Sequence, residues 1–198
     1  MQRTKPNIEH LGRVNYQTLY PRMLEHVKQQ KPCAIWVLEH FPVYTQGKRS
    51  LPEHILHHNT IPVVSTDRGG QVTYHGPGQM IVYPLLKLDQ WHLSPLELVK
   101  RLEICTTKAL AQFNIKAYHD PDARGVYINQ QKIASIGLKI KQGMSYHGIA
   151  INLNTNLDAF QAIVPCGNPS LTLTNLCLHT PTFHQFPNVW LKLFLEML

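Results

Sequence analysis

The stretch Arg68-Gly69-Gly70-Gln71-Val72-Thr73-Tyr74-His75-Gly76-Pro77-Gly78-Gln79 limits most sharply what this chain can become. Four of the eleven glycines fall within these twelve residues. Glycine has no side chain to bury and loses the most backbone entropy on ordering, so the segment predicts neither an ordinary packed strand nor a helix. Glycines at this density mark a place where the backbone must come close to something else. A surface turn needs one or two of them and leaves Arg68, Tyr74, His75 and Gln79 unexplained. The segment therefore reads as a binding element.

The rest of the chain predicts a scaffold around it. At 198 residues, with 43% hydrophobic and 16% charged residues, it suits one folded domain spanning residues 1–198. Tyr16, Leu19, Tyr20, Met23, Leu24 and Val27 recur at helical spacing, with Pro21 expected in or near the first turn. Ala34 to Leu38 reads as a buried strand that leaves as a loop over Glu39 to Gly47, and Ile61 to Ser65 and Met80 to Leu86 as two more strands. Ser94-Pro95-Leu96-Glu97 is a capping box with proline at the first helical position. Val99, Leu102, Thr106, Ala109 and Phe113 form the core face of the helix it opens, and Asn114 is its left-handed stop. Gly125 to Ile128, Lys132 to Ile140 and Tyr146 to Leu153 read as consecutive antiparallel strands, and 188–198 as a closing helix. The expected class is α+β, a mixed and largely antiparallel sheet with flanking helices.

Location and partners follow from what is spaced where. The first residues lack an apolar signal core, and the apolar runs are too short to cross a bilayer, so the expectation is a cytoplasmic protein without a membrane partner. A net charge of +7 raises nucleic acid or an acidic protein as partner. The basic residues are scattered in pairs, such as Lys48-Arg49 and Lys100-Arg101, without a nucleic-acid motif. An acidic protein fits better, and no nucleic acid is expected.

The cysteines, Cys33, Cys105, Cys166 and Cys177, form no CxxC pair and read as free thiols. Cys33, Cys105 and Cys177 adjoin apolar or amphipathic segments and read as core. Cys166 stands apart, in a turn set by Pro165 and Gly167, where a reactive group and a structural thiol are both open readings. A nearby cation would favour its thiolate. Lys132 opens an apolar strand, but spacing alone favours an exposed edge lysine there. His54, His57 and His58 read as a surface helical turn, and no acidic or cysteine ligand completes a metal set. No metal and no other cofactor is expected.

Taken together, these segments resemble the octanoyltransferases of lipoate biosynthesis. The resemblance rests on Leu38-Glu39-His40 with Pro42 to Thr45 and Gly47, on Arg68 to Gln79, and on Lys132 to Ala134 with Ile136-Gly137. It continues through His147-Gly148 with Ala150 and Asn152, and Pro165-Cys166-Gly167, in family order over roughly residues 11–178. It implies the fold of the biotin and lipoate protein ligases and a dyad of Cys166 and Lys132. It also implies an acyl pocket lined by Arg68, Gly69, Gly70, Gln71, Val72, Thr73, Tyr74, His75, Ser135, Ile136, Gly137, Gly148, Ile149 and Ala150. The implied donor is octanoyl-acyl carrier protein. The implied acceptors are lysines on lipoyl domains of 2-oxoacid dehydrogenase complexes and on the glycine cleavage H protein. Cys166 would carry the acyl group as a thioester. An ATP-dependent lipoate or biotin protein ligase shares the fold but needs no cysteine nucleophile; a non-catalytic nucleic-acid module has only the charge behind it.

Overall fold

A computed structural model of the chain describes residues 5–57 and 59–198. Its strands and helices follow in the order β1 (Asn7–Val14), α1 (Tyr16–Lys28), β2 (Ala34–His40), β3 (Val43–Gln46), β4 (Val63–Ser65), β5 (Thr73–His75) and β6 (Gln79–Leu85). Then come α2 (Pro95–Ala111), β7 (Tyr118–His119), β8 (Val126–Ile128), β9 (Gln131–Lys141), β10 (Met144–Asn152) and α3 (Phe186–Met197). Seven strands form one sheet in the order β1-β2-β6-β10-β9-β8-β7, and β4-β3-β5 form a second. Among the described strands only β1–β2 and β3–β4 pair in parallel. The class expected from the sequence, mixed, largely antiparallel and flanked by helices, is the class observed.

Period-two alternation splits the large sheet cleanly. Ile35, Met80, Val82, Ile149 and Ile151 face α2 and α3, packing with Leu98, Leu102, Trp190 and Phe194. Ala34, Trp36, Ile81, Tyr83, Tyr146 and Ala150 face α1, with Leu19, Met23 and Val27. Central strands covered on both sides read as continuous apolar runs, which is why the sequence exposed them. The small sheet has its own core, where Tyr44, Val72 and Tyr74 pack with Phe160 and Ile163.

The capping box of α2 is present, with Glu97 N–H donating to Ser94 Oγ and Asn114 at φ +59 beyond the helix. Its buried face includes Leu98, Leu102, Thr106 and Ala109, while Val99 and Phe113 are half-buried. Pro21 departs from expectation. It sits in the second turn of α1, on the exposed side, where water can satisfy the Gln17 carbonyl that proline leaves without a helical donor. The expected loop over Glu39 to Gly47 is instead the end of β2, a turn at Phe41-Pro42 and the buried strand β3. Even the glycine-rich stretch yields a strand, β5, whose three residues are buried. Polar bonds help to explain both: Thr45 is tied to Arg68, and His75 through Nδ1 to Gln79, which offsets part of the cost of burying these polar side chains. The edge strand β1 was not foreseen, having one neighbour and a half-exposed sequence with a bulge at Gly12.

Glycine governs how closely the strands approach. A Cβ on Gly148 would lie 2.0 Å from the Val82 carbonyl oxygen of the adjacent strand, a backbone atom that cannot swing away. On Gly137 it would lie 3.1 Å from the Gly69 carbonyl oxygen. Gly148→Ala should therefore cost about 3 kcal/mol of unfolding free energy, as overpacking of a tight core does, and Gly137→Ala distinctly less. Urea unfolding of both variants checks the order; equal costs would contradict it.

Candidate active site

Cys166 sits at the centre of the turn Pro165–Gly167 with φ +56 and ψ 15, a left-handed conformation rare for a residue with a side chain. The turn is pinned from both sides. Val164 N–H donates to the His54 carbonyl at 2.8 Å, and Cys166 N–H to the Val72 carbonyl at 3.2 Å. Gly167 N–H closes the turn onto Val164. Strain of this kind, held by surrounding bonds, is found at functional positions.

Lys132 lies at the start of β9 and is 4% exposed, so the exposed-edge reading from spacing is overturned. Its backbone bonds Thr172 and Thr174 on the chain leading away from the Cys166 turn. Its side chain runs over Gly125, where a Cβ would stand 2.5 Å from Lys132 Cε, and passes 5.3 Å from the Tyr127 ring centroid. Nζ ends 3.5 Å from Cys166 Sγ. Among the described residues no carboxylate forms a salt bridge with it. The contact sets the lysine amine directly beside the thiol, where it can donate to sulfur.

The other thiols differ. Cys33 and Cys105 are buried as expected, and burial pushes the Cys105 thiol up to about 12. Cys177 is only half-buried, contrary to its core reading, because the turn Leu176–Leu178 turns outward with Leu178 exposed. His54 is buried rather than on a surface turn, His57 is exposed, and His58 lies outside the described residues.

Beside Cys166 an open-mouthed cavity of about 60 Å³ runs between the two sheets. Arg68, Gly70, Gln71, Val72, Thr73 and His75 form one wall; Ser135, Ile136 and Gly137 of β9 and Gly148, Ile149 and Ala150 of β10 form the other. Two expected members are absent. Gly69 is turned to β9, its N–H donating to the Leu138 carbonyl, and Tyr74 is packed in the small sheet's core against Phe160. Four lining residues were not foreseen: Tyr16, Ile81, Tyr83 and His147. Tyr16, Ile81 and Tyr83 fit a helix face or apolar strand and so read as core, whereas His147 belongs to a motif of the resemblance without being expected in the pocket wall.

Polar groups in the wall are fixed by neighbours. Arg68 is buried with its guanidinium donating to Thr45 Oγ1 and to the carbonyls of Thr45 and Gly69, and burial pulls its pKa down. Asp67 accepts from Tyr20 at 2.8 Å, from His147 at 3.1 Å and from Tyr146. Burial raises the Asp67 carboxyl, but these three donors outweigh it and hold it well below the ordinary carboxylate range. His147 also adopts φ +56 within β10.

With this geometry in view, the lipoyl protein ligase A/B catalytic domain family matches residues 17–195. An octanoyltransferase of Nitrosomonas eutropha is 47% identical over 170 residues, covering 84% of this chain and 76% of that protein. One of Shewanella sp. strain W3-18-1 is 43% identical over 176 residues, covering 87% and 81%. The chain belongs to the octanoyltransferase family. Members are acyltransferases, and so is this enzyme. Its fold is that of lipoate-protein ligase A, solved with ATP, at TM-score 0.78 and 13% identity over 98% of this chain and 85% of that one. A bipartite lipoate protein ligase from Thermoplasma acidophilum, described with its E2 lipoyl domain, gives 0.75 at 14% identity over 98% and 83%. Aquifex aeolicus biotin protein ligase gives 0.57 at 14% identity over 98% and 68%.

The acid limb of stability tests the Asp67 network. A carboxyl whose folded pKa lies below the unfolded value of about 3.9 stabilises fully above that pH and loses its contribution as pH falls toward the folded value. Urea unfolding between pH 5 and pH 2 should therefore show a steeper loss for the wild type than for Asp67→Asn; parallel curves would contradict the network.

Proposed function

We propose that this acyltransferase moves octanoyl from octanoyl-acyl carrier protein to a lysine of a lipoyl domain through a thioester on Cys166. The observation that carries the reading is the buried Lys132 Nζ standing 3.5 Å from Cys166 Sγ beside a largely apolar cavity. The Cys166 thiolate attacks the donor's carbonyl, forming one C–S bond and breaking the other. The Lys132 ammonium gives its proton to the departing carrier thiolate. A neutral amine from the acceptor then attacks the acyl-enzyme, and its proton returns to Lys132 as the amide forms and Cys166 leaves as thiolate. The dyad ends as it began.

The Cys166 turn spends its own N–H groups, since Cys166, Gly167 and Asn168 all donate to backbone carbonyls. Gly70 and Gln71 donate no backbone bond among the described residues, so we assign the tetrahedral oxyanion to their amides. Octanoyl has six methylenes worth about 0.8 kcal/mol each on burial, so a tunnel that enclosed the whole chain would supply about 5 kcal/mol of binding. A thioester is already activated, and ATP is not required.

The donor's acidic character suits the rim. Lys48 and Arg49 are exposed, and their N–H groups bond the carbonyls of Arg68 and Gly70, which sets two cations beside the glycine wall. The T. acidophilum ligase described with its E2 lipoyl domain supports a lipoyl-domain acceptor, from 2-oxoacid dehydrogenases or the H protein. We place the whole chain, 1–198, in one catalytic domain acting in the cytoplasm, where free thiols stay reduced.

Incubation with octanoyl-acyl carrier protein and no acceptor should add one octanoyl mass, mapped to Cys166 and released by hydroxylamine. Cys166→Ala should lose adduct and transfer. Lys132→Met should fold yet transfer at least about a hundredfold more slowly, with Lys139→Met and Lys141→Met near wild type. An active Cys166→Ala, or a strict need for ATP, would replace transfer by ligation.

A further inference from the structure

Two imidazoles, His75 and His147, line the cavity, and a third, His40, packs against Tyr16 and His75. The ring centroids of His40 and His75 are 5.8 Å apart, and Tyr16 lies 5.0 Å from His40 and 6.4 Å from His75. Each tautomer is set by an outer partner. His40 Nδ1 faces the Val14 carbonyl at 3.0 Å, which only accepts, so Nδ1 carries the proton and Nε2 accepts from the Tyr83 hydroxyl at 2.8 Å. His147 Nε2 faces the Asp67 carboxylate, so Nε2 carries the proton and Nδ1 accepts from Tyr16 at 3.5 Å.

His75 is fixed through a longer chain of bonds. The Thr174 carbonyl accepts from Asn152 Nδ2 at 3.2 Å, which turns Asn152 Oδ1 toward Gln79. Gln79 Nε2 donates to that oxygen at 2.9 Å and to the Tyr74 carbonyl at 3.3 Å. Gln79 Oε1 therefore accepts, and takes the Nδ1 proton of His75 at 2.7 Å. Nε2 of His75 is left with a lone pair, and no donor among the described residues reaches it. Burial keeps the ring neutral, its pKa well below 6.5, and nearby His40 and Arg68 push the same way.

The lone pair is not sealed in. Among the described residues the fully enclosed side-chain atoms without a partner are Trp36 Nε1, Ser50 Oγ, Gln71 Oε1 and Trp91 Nε1. His75 Nε2 thus reaches open space, and the space His75 borders is the acyl cavity. A purely hydrocarbon chain lying there leaves this acceptor unsatisfied.

We infer that His75 Nε2 is a recognition point within the cavity for acyl chains bearing a hydrogen-bond donor, namely aliphatic chains with a hydroxyl group along their length. The inference rests on the acyl-transfer reading above and deepens it to a second substrate class. A hydroxyl donates to the lone pair. An oxo group at the same carbon offers only lone pairs and is repelled.

The test follows acyl uptake by Cys166, read as intact mass over time, for octanoyl thioester, a series of hydroxyoctanoyl thioesters with the hydroxyl moved along the chain, and the matching oxo series. At one carbon, or two adjacent ones, the hydroxy chain should react at least about tenfold faster than its oxo counterpart. In His75→Phe that preference should fall to near unity, with the ratios at other carbons unchanged. Should His75→Phe not fold, nitrogen-15 resonances of the wild-type imidazole decide, with an unprotonated Nε2 expected in the free protein. A protonated Nε2, or a hydroxy-to-oxo ratio that is flat along the chain, overturns the inference. Normal octanoyl uptake with a flat ratio overturns it alone, whereas no uptake of any chain removes the transfer reading with it.

Discussion

An ammonium group taken out of water must find compensation, and at Lys132 the neighbour within reach is a thiol. Much of the surrounding architecture serves that burial. Gly125 leaves the groove along which the Lys132 stem runs, and the Tyr127 ring offers its face to the charge. The bridge between Lys132 and Leu173 ties β9 to the segment after the cysteine turn, and the left-handed Cys166 brings Sγ round to Nζ. The pair joins two segments 34 residues apart in sequence. Removing either strand register or turn would separate them.

Around this pair burial holds most of the neighbouring ionisable groups in their neutral forms. His40 is pulled down to about 4 by burial, His75 and His147 are also lowered, and Tyr83 is pushed well above its ordinary range. The tautomers are set from behind by Val14, Gln79 and Asp67, so the walls present oriented dipoles rather than ions. A buried interior of this kind has a low local dielectric, which strengthens the charge effects within it. Arg68 is the exception, a buried cation held by carbonyls and a hydroxyl on the glycine wall.

What the sequence revealed divides along physical lines. Strands β2, β6 and β10 are covered on both faces, so burial writes itself into their composition, and the helix α2 announces its start through a capping box. Strands β3 and β5 were hidden because Thr45 and His75 are buried by hydrogen bonding, which leaves no apolar pattern. Edge strand β1 was hidden by its exposure. At the site, the glycine wall and the isolated cysteine turn were legible, since both break local rules of packing. Lys132 was legible only through the resemblance, because strand spacing cannot show that a glycine just before the neighbouring strand opens a groove for it. Tyr16 and Tyr83 were lost among core positions for the same reason: a side chain lining a cavity and one filling a core share one periodicity.

The dyad makes a claim that can be measured without any substrate. At neutral pH, Cys166 should be alkylated by iodoacetamide at least about tenfold faster in the wild-type protein than in Lys132→Met, because the ammonium favours the thiolate that reacts. Peptide mapping confines the reading to Cys166, and a native circular dichroism spectrum shows that the variant is folded. An unchanged Cys166 alkylation rate in folded Lys132→Met would contradict the account.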